Sequence, residues 1–212
     1  MTQAQIILLF VILGGIVSLQ FFKGRKVNTL LMIQYIREFE NELKPKDKLY
    51  TYIGGYIGFK ADYDLNEDFI KKIELTLTLL PRQSLLYLPI SYLTRKHDRL
   101  YVILRLKEKF GYDAHIIKKN FYFPGPMIEN IETFKKDEIE IENNKFLILY
   151  KNRNDIDRLI DIAKNSFNFN NIRHIGYTRE TNVIFLLLKP ELEITAKSLK
   201  KFVKNFSNLL KV

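Results

Sequence analysis

The sequence predicts an α+β fold behind a membrane anchor: an N-terminal single transmembrane helix, then a mostly antiparallel sheet with helices on one face. Three observations predict it. An uncharged apolar run extends from Ile6 to Phe22 and is closed by Lys23, Arg25 and Lys26. Segments at 57–64 and 73–79 alternate apolar and polar with period two, the mark of half-buried strands. Other segments carry apolar residues at three-to-four spacing, the mark of amphipathic helices.

The anchor comes first. Counted back to the N-terminus, about 20 residues at about 1.5 Å of helical rise match a hydrocarbon core roughly 30 Å thick. Gly14 and Gly15 lower the helix propensity of the run without adding charge. A cleaved leader has basic residues ahead of its apolar stretch and small residues after it. Here Met1 to Gln5 holds no Lys or Arg, and Ser18-Leu19-Gln20-Phe21-Phe22 is a poor cleavage context. Because Lys and Arg stay on the cytoplasmic side of a span, the flank Lys23, Arg25, Lys26 predicts a single-pass protein of the cell membrane. Its N-terminus is expected outside and everything from Val27 onward in the cytoplasm.

Residues 1–27 are thus read as anchor and basic flank, and 28–48 as an amphipathic helical stem. In the stem, Leu30, Ile33, Tyr35 or Ile36, Phe39 and Leu43 recur on one face until Pro45 and Lys46-Asp47-Lys48 end it. That face either packs on the following domain or forms a homodimer through residues 30–43, although only about two heptads are present.

A first α+β half, residues 49–126, follows. Strands are expected at 57–64 and 73–79, joined by a short helix or turn over 65–72. Pro81 stops the second strand, and 82–93 reads as a short helix interrupted at Pro89. Arg99 to Lys107 is the most apolar strand, and 112–119 is another after a turn at Phe110-Gly111. Phe121-Tyr122-Phe123-Pro124-Gly125-Pro126 breaks regular structure and is the best internal boundary.

The second half, residues 127–212, opens on a weakly helical stretch, 127–136. Strands at 138–142 and 145–150 flank Asn143-Asn144, which suits a tight hairpin. A helix over 155–167, strands at 172–178 and 183–189, and a helix over 192–210 with Leu199, Phe202, Val203, Phe206 and Leu210 inward complete the chain. Residues 57–136 and 138–210 share the order ββαββα, so two similar halves are one reading; no residue-level identity supports it.

Composition narrows the chemistry. With 47% apolar residues, 16 Phe and 12 Tyr, and few Gly or Pro, a buried core is expected. The absence of cysteine removes disulfides, thiolate metal sites and Cys nucleophiles. A net charge of +10 favours an anionic partner, and a domain tethered beside a bilayer meets anionic lipid first. The basic residues are interleaved with acids and lack base-stacking motifs, which argues against a nucleic-acid reader.

Four local features invite a functional reading. Asp62-Tyr63-Asp64-Leu65-Asn66-Glu67-Asp68 begins like a calcium loop, but Glu67 stands where the turn needs Gly and Ile73 where a bidentate Glu is needed. Gly54-Gly55-Tyr56-Ile57-Gly58 lacks the Lys-Ser/Thr of a P-loop and enters a strand, so a bulge or close packing is expected. His97, His115 and His174 show no metal-ligand spacing. The segment 82–96 is apolar nearly all round. It is expected either to be buried within the domain or to rest in the membrane interface, with Tyr87 and Tyr92 at headgroup level. Arg82, Arg95, Lys96 and Arg99 are candidates for holding an anion or a lipid surface.

No catalytic set, metal site or cofactor motif is complete. The leading functional expectation is a membrane-anchored protein presenting a cytoplasmic α+β binding module to a protein partner or the anionic lipid surface. The alternatives are an enzyme acting on a phosphorylated or lipidic substrate through an anion clamp of Arg82, Arg95, His97 and Arg99, and a structural subunit of a membrane complex.

Overall fold

The computed structural model describes residues 2–65, 67 and 69–210. It begins with one continuous helix, α1 (Gln3–Leu43), of 41 residues, started by a Thr2–Gln5 capping box and ended by Lys44 in the left-handed region. The sequence reading divided this element into anchor and stem. The helix runs through instead, because Lys23, Arg25 and Lys26 are good helix formers and Gly24 alone does not stop it. Residues 2–19 are exposed, and among the described residues α1 is the one helix long and apolar enough to cross a membrane. Burial starts at Gly24 and continues through Asn28, Met32, Tyr35 and Phe39, a stripe with helical spacing.

A nine-stranded antiparallel open sheet follows: β1 (Asp47–Tyr52), β2 (Gly58–Asp64), β3 (Ile70–Thr78), β4 (Arg99–Leu106), β5 (Ala114–Lys118), β6 (Lys135–Ile141), β7 (Asn144–Tyr150), β8 (Ile172–Thr178) and β9 (Val183–Leu188). Its order is β1-β2-β3-β4-β9-β8-β5-β7-β6, so both halves of the chain share one sheet and β5 lies between β8 and β7. The other helices are α2 (Tyr87–Thr94), α3 (Arg153–Ser166) and α4 (Thr195–Leu210). With α1, helices α3 and α4 cover one face. Phe39, Leu159, Ala163, Leu199, Phe202 and Phe206 meet Leu75, Leu100, Val102, Ile175, Ile184 and Leu186, all of them almost wholly buried in a single core. The side chain of Leu210, expected inward, lies outside the described residues, as do Asn66 and Asp68 of the acidic stretch.

Local departures from expectation have local causes. Pro89 does not interrupt α2, since it sits in the first turn, where a helical N–H has no partner to lose. The stretch 127–136 is not a helix: Pro124, Pro126 and Asn130 at φ 53° leave only a 3-10 turn, Ile131–Thr133, before β6. Its apolar residues Ile128, Ile131 and Phe134 pack instead on Ile117 and Leu149 of the second sheet face. The β6–β7 turn is Glu142-Asn143, both at positive φ, with Ile141 paired to Asn144; this is one residue earlier than the sequence suggested.

Helix α1 runs along β2. Near its exposed half the Asn28 amide reaches Tyr56 and Leu80, and past its C-terminus the Lys46 N–H donates to the Asp64 carbonyl. The strand ends at Gly58, Thr78, Arg99, Leu188, Ile172 and Lys118 therefore form one sheet edge, nearest the apolar run. This proximal edge carries the features described next.

Candidate functional site

The segment 80–86 is fastened to α1. Gly24 packs so closely on the Arg82 backbone that a Cβ there would collide with the Arg82 carbonyl. Gln20 Nε2 donates to that carbonyl at 2.7 Å. The fully buried Asn28 donates through Nδ2 to the Tyr56 and Leu80 carbonyls, at 2.8 and 2.9 Å, and accepts from Arg82 Nη1 at 3.0 Å. Arg82 completes a bidentate pair with Asp98, 3.1 and 2.8 Å, and Asp98 also accepts the Leu80 N–H. Arg82 thus ties α1 to the β3–β4 connection and does not line the basic cavity formed by its neighbours.

That connection presents α2 to solvent. Only Ser91 in it is buried; Leu86 and Leu93 are 79% and 80% exposed, and Tyr87, Ile90 and Tyr92 are exposed as well. Burial within the domain, one of the two readings of this segment, does not occur. An apolar helix therefore stands in solvent, following the segment that Gln20 and Gly24 hold at the end of the apolar run of α1.

Beside α2 lies a basic cavity of about 400 Å³ at the proximal edge. Arg95, Lys96, His97 and Arg99 line it from the chain around α2 and β4, Lys118 and Lys119 from the end of β5, and Arg173 from β8. Arg173 occupies a β-bulge, since Ile172 pairs with Leu188 and His174 with Leu187, leaving Arg173 as the extra residue whose side chain is re-aimed. Its Nε donates to His97 Nε2 at 3.0 Å and its Nη1 to the Asn170 carbonyl at 2.6 Å. Accepting at Nε2 leaves the His97 proton on Nδ1, which faces the Asp98 carbonyl at 2.7 Å. Burial, then the neighbouring cations Arg173 and Arg99, hold the His97 ring below its usual pKa, so it is neutral.

The cations themselves are poorly compensated. Arg95 donates to Thr78 Oγ1 and Lys118 Nζ to Asn144 Oδ1, both neutral acceptors. Among the described residues lining the cavity there is no carboxylate; only Lys119, at the rim, reaches one, pairing with Glu138 at 2.8 Å. Burial and then the charge of Arg99 lower the pKa of Arg173, and burial and then Arg173 lower that of Lys118. Arg99 Nε is the one buried side-chain nitrogen or oxygen among the described residues without a hydrogen-bond partner, and its guanidinium lies 5.4 Å from the Phe121 ring centre. A buried donor left unpaired costs about 1–3 kcal/mol.

The structure therefore brings Arg95, Lys96, His97 and Arg99 together and leaves Arg82 out. Sequence reasoning missed Arg173 and Lys118, which arrive from distant strands. One signal was present: Arg173 shares strand parity with the core residues Ile175 and Tyr177, where a charge is out of place.

A second cavity, about 570 Å³, opens on the other sheet face under residues 122–130. His115 Nδ1 and His174 Nε2, both buried, are 3.2 Å apart, and the half-buried Tyr122 Oη is 3.0 Å from His174 Nδ1, a chain of three rings. Gly176 makes room for it, because a Cβ there would strike the His115 ring. Burial holds His115 down to about 4 and His174 to about 3, and pushes the Tyr122 hydroxyl up to about 12, so all three are neutral near pH 7. Among the described residues no three His, Asp or Glu side chains converge to hold a metal ion. The glycine run 54–58 forms the β1–β2 turn, with no helix after it to hold a phosphate.

Compared with known proteins, the sequence matches no family model, and no curated protein matches it.

Proposed function

We propose that this is a single-pass membrane protein that holds its α+β domain, on the cytoplasmic side, against the anionic surface of the bilayer. The observation that carries the reading is the attachment to α1 of the segment that leads into α2. Gln20, Gly24 and Asn28, around the end of the apolar run, hold residues 80–83 against α1, which supports a position at the membrane interface for the exposed Leu86, Tyr87, Ile90 and Leu93 that follow. An apolar helix flanked by tyrosines and basic residues gains by entering the headgroup zone. Arg95, Lys96, Lys118 and Lys119 at the same edge add attraction to anionic lipid, about 1 kcal/mol per well-placed cation. The side chains Met32, Tyr35 and Phe39 of the 30–43 segment are used inside the chain, while Leu30 and Ile33 stay exposed.

The chain has no tryptophan, so Leu86→Trp creates a single probe. In full-length protein reconstituted into vesicles, brominated lipid is expected to quench that tryptophan. A fully accessible, unquenched probe refutes bilayer contact by α2. Loss of the protein from membranes under an alkaline carbonate wash refutes the span, and protease access to an N-terminal tag from the cytoplasmic side refutes the orientation.

A further inference from the structure

We infer that the basic cavity is a binding site for a phosphomonoester dianion, gripped by Arg99, Arg173 and Lys118. The inference goes beyond membrane attachment and does not require it. Three cations from β4, β8 and β5 line one cavity, and each of two is held below its ordinary pKa partly by the next. A fold keeps mutually repelling charges together, away from carboxylates, when something else neutralises them. Asp98, next to His97 in the chain, spends both oxygens on Arg82 and the Leu80 N–H, and Glu138 at the rim is taken by Lys119.

The donors also have the right chemistry. Arg99 Nε is buried and donates to nothing, and its guanidinium is steadied against the Phe121 ring, a fork with its edge unspent. Arg173 is braced by the Asn170 and Ile172 carbonyls and by His97, so it is positioned before any ligand arrives. Lys118 supplies a compact charge whose current acceptor, Asn144 Oδ1, is neutral and exchangeable. Three cations match a doubly charged terminal phosphate better than a singly charged phosphodiester. The cavity, about 400 Å³, exceeds what a bare phosphate fills and leaves room for the group it esterifies. That group belongs either to a soluble phosphomonoester or to a lipid such as phosphatidic acid, which the position of the cavity beside α2 would bring within reach.

The test uses the full chain in neutral-detergent micelles, with thermal unfolding read by tyrosine near-UV circular dichroism. Inorganic phosphate and glycerol 3-phosphate are titrated against chloride at matched ionic strength; a parallel arm compares nanodiscs containing phosphatidic acid with nanodiscs containing phosphatidylglycerol. Stabilisation by the soluble phosphates assigns a free phosphomonoester, and selective binding to phosphatidic acid alone assigns a lipid headgroup; either supports the site. In Lys118→Gln and Arg99→Gln, affinity for the effective probe is expected to fall at least tenfold, while Lys200→Gln, paired with Glu42 elsewhere, leaves it unchanged. Lys118→Gln without ligand is expected to melt no lower than the parent, because a repelled charge has been removed. Phosphates no better than chloride together with no preference for phosphatidic acid, or undiminished affinity in a folded Lys118→Gln, overturns the inference.

Discussion

Acidification from pH 8 to 5 is expected to remove about 4 kcal/mol of folding stability through His115 and His174 alone. Each ring ionises near 6.5 when unfolded, but burial delays protonation to about 4 for His115 and about 3 for His174. The unfolded chain therefore takes up protons that the fold refuses. Because the folded values are depressed, the contribution is complete above about pH 6.5 and is lost as the pH falls toward the folded values. At pH 5 the unfolded rings are almost wholly charged and the folded rings almost wholly neutral, which by linkage amounts to about 2 kcal/mol for each. His97, also held low by burial, shifts stability in the same direction and is left in place as a constant background. The assay is urea unfolding of the full chain in micelles at pH 8, 6.5 and 5, followed through its 12 tyrosines. The comparison is with a His115→Gln/His174→Gln variant, and the window stays above most carboxylate titrations. The parent should lose about 4 kcal/mol more than the variant between pH 8 and 5. Parallel losses in the two proteins would refute the buried, neutral histidine pair.

Three further outcomes follow from packing. Phe39→Ala empties a fully buried position where α1 meets the sheet and α4, and should cost about 3–5 kcal/mol in the same urea assay; a loss under 1 kcal/mol would mean α1 is not core. Gly24→Leu cannot keep α1 against the Arg82 backbone, so amide hydrogen exchange across residues 81–95 should quicken, and unchanged exchange would disprove the close contact. Lys119→Ala removes an ion pair whose side chains are 44% and 55% exposed, and solvent screening should hold the change in stability within about 1 kcal/mol.

Most of the architecture was readable because each signal was local. Period-two alternation located β2, β3 and β4, since each buries one face on the helical layer; β8 and β9, more continuously buried, were placed as strands on either side of the turn at 179–182. β1 escaped: as an edge strand with only Tyr50 partly covered, it buries too little to leave a pattern. The 127–136 stretch was misread as weakly helical because its apolar residues serve a non-helical chain lying on Ile117 and Leu149. Strand order could not be read, since inserting β5 between β8 and β7 is a nonlocal choice that no window records. The sites show the same limit. Arg95, Lys96, His97 and Arg99 were visible as neighbours in sequence. Arg173 and Lys118 join them only through sheet pairing, and the His115–His174 contact spans 59 residues.

The unbroken course of α1 has a mechanical consequence. A 41-residue helix is about 60 Å long, and the same rod that begins as an apolar stretch ends as a core element at Phe39. There is no swivel between them. Height and azimuth of the domain are thus set by residue register: one residue inserted ahead of Gln20 would turn the outer segment about 100° relative to the domain and displace it by about 1.5 Å. Strain or rotation imposed at one end of the rod must be felt in the β-sheet at the other.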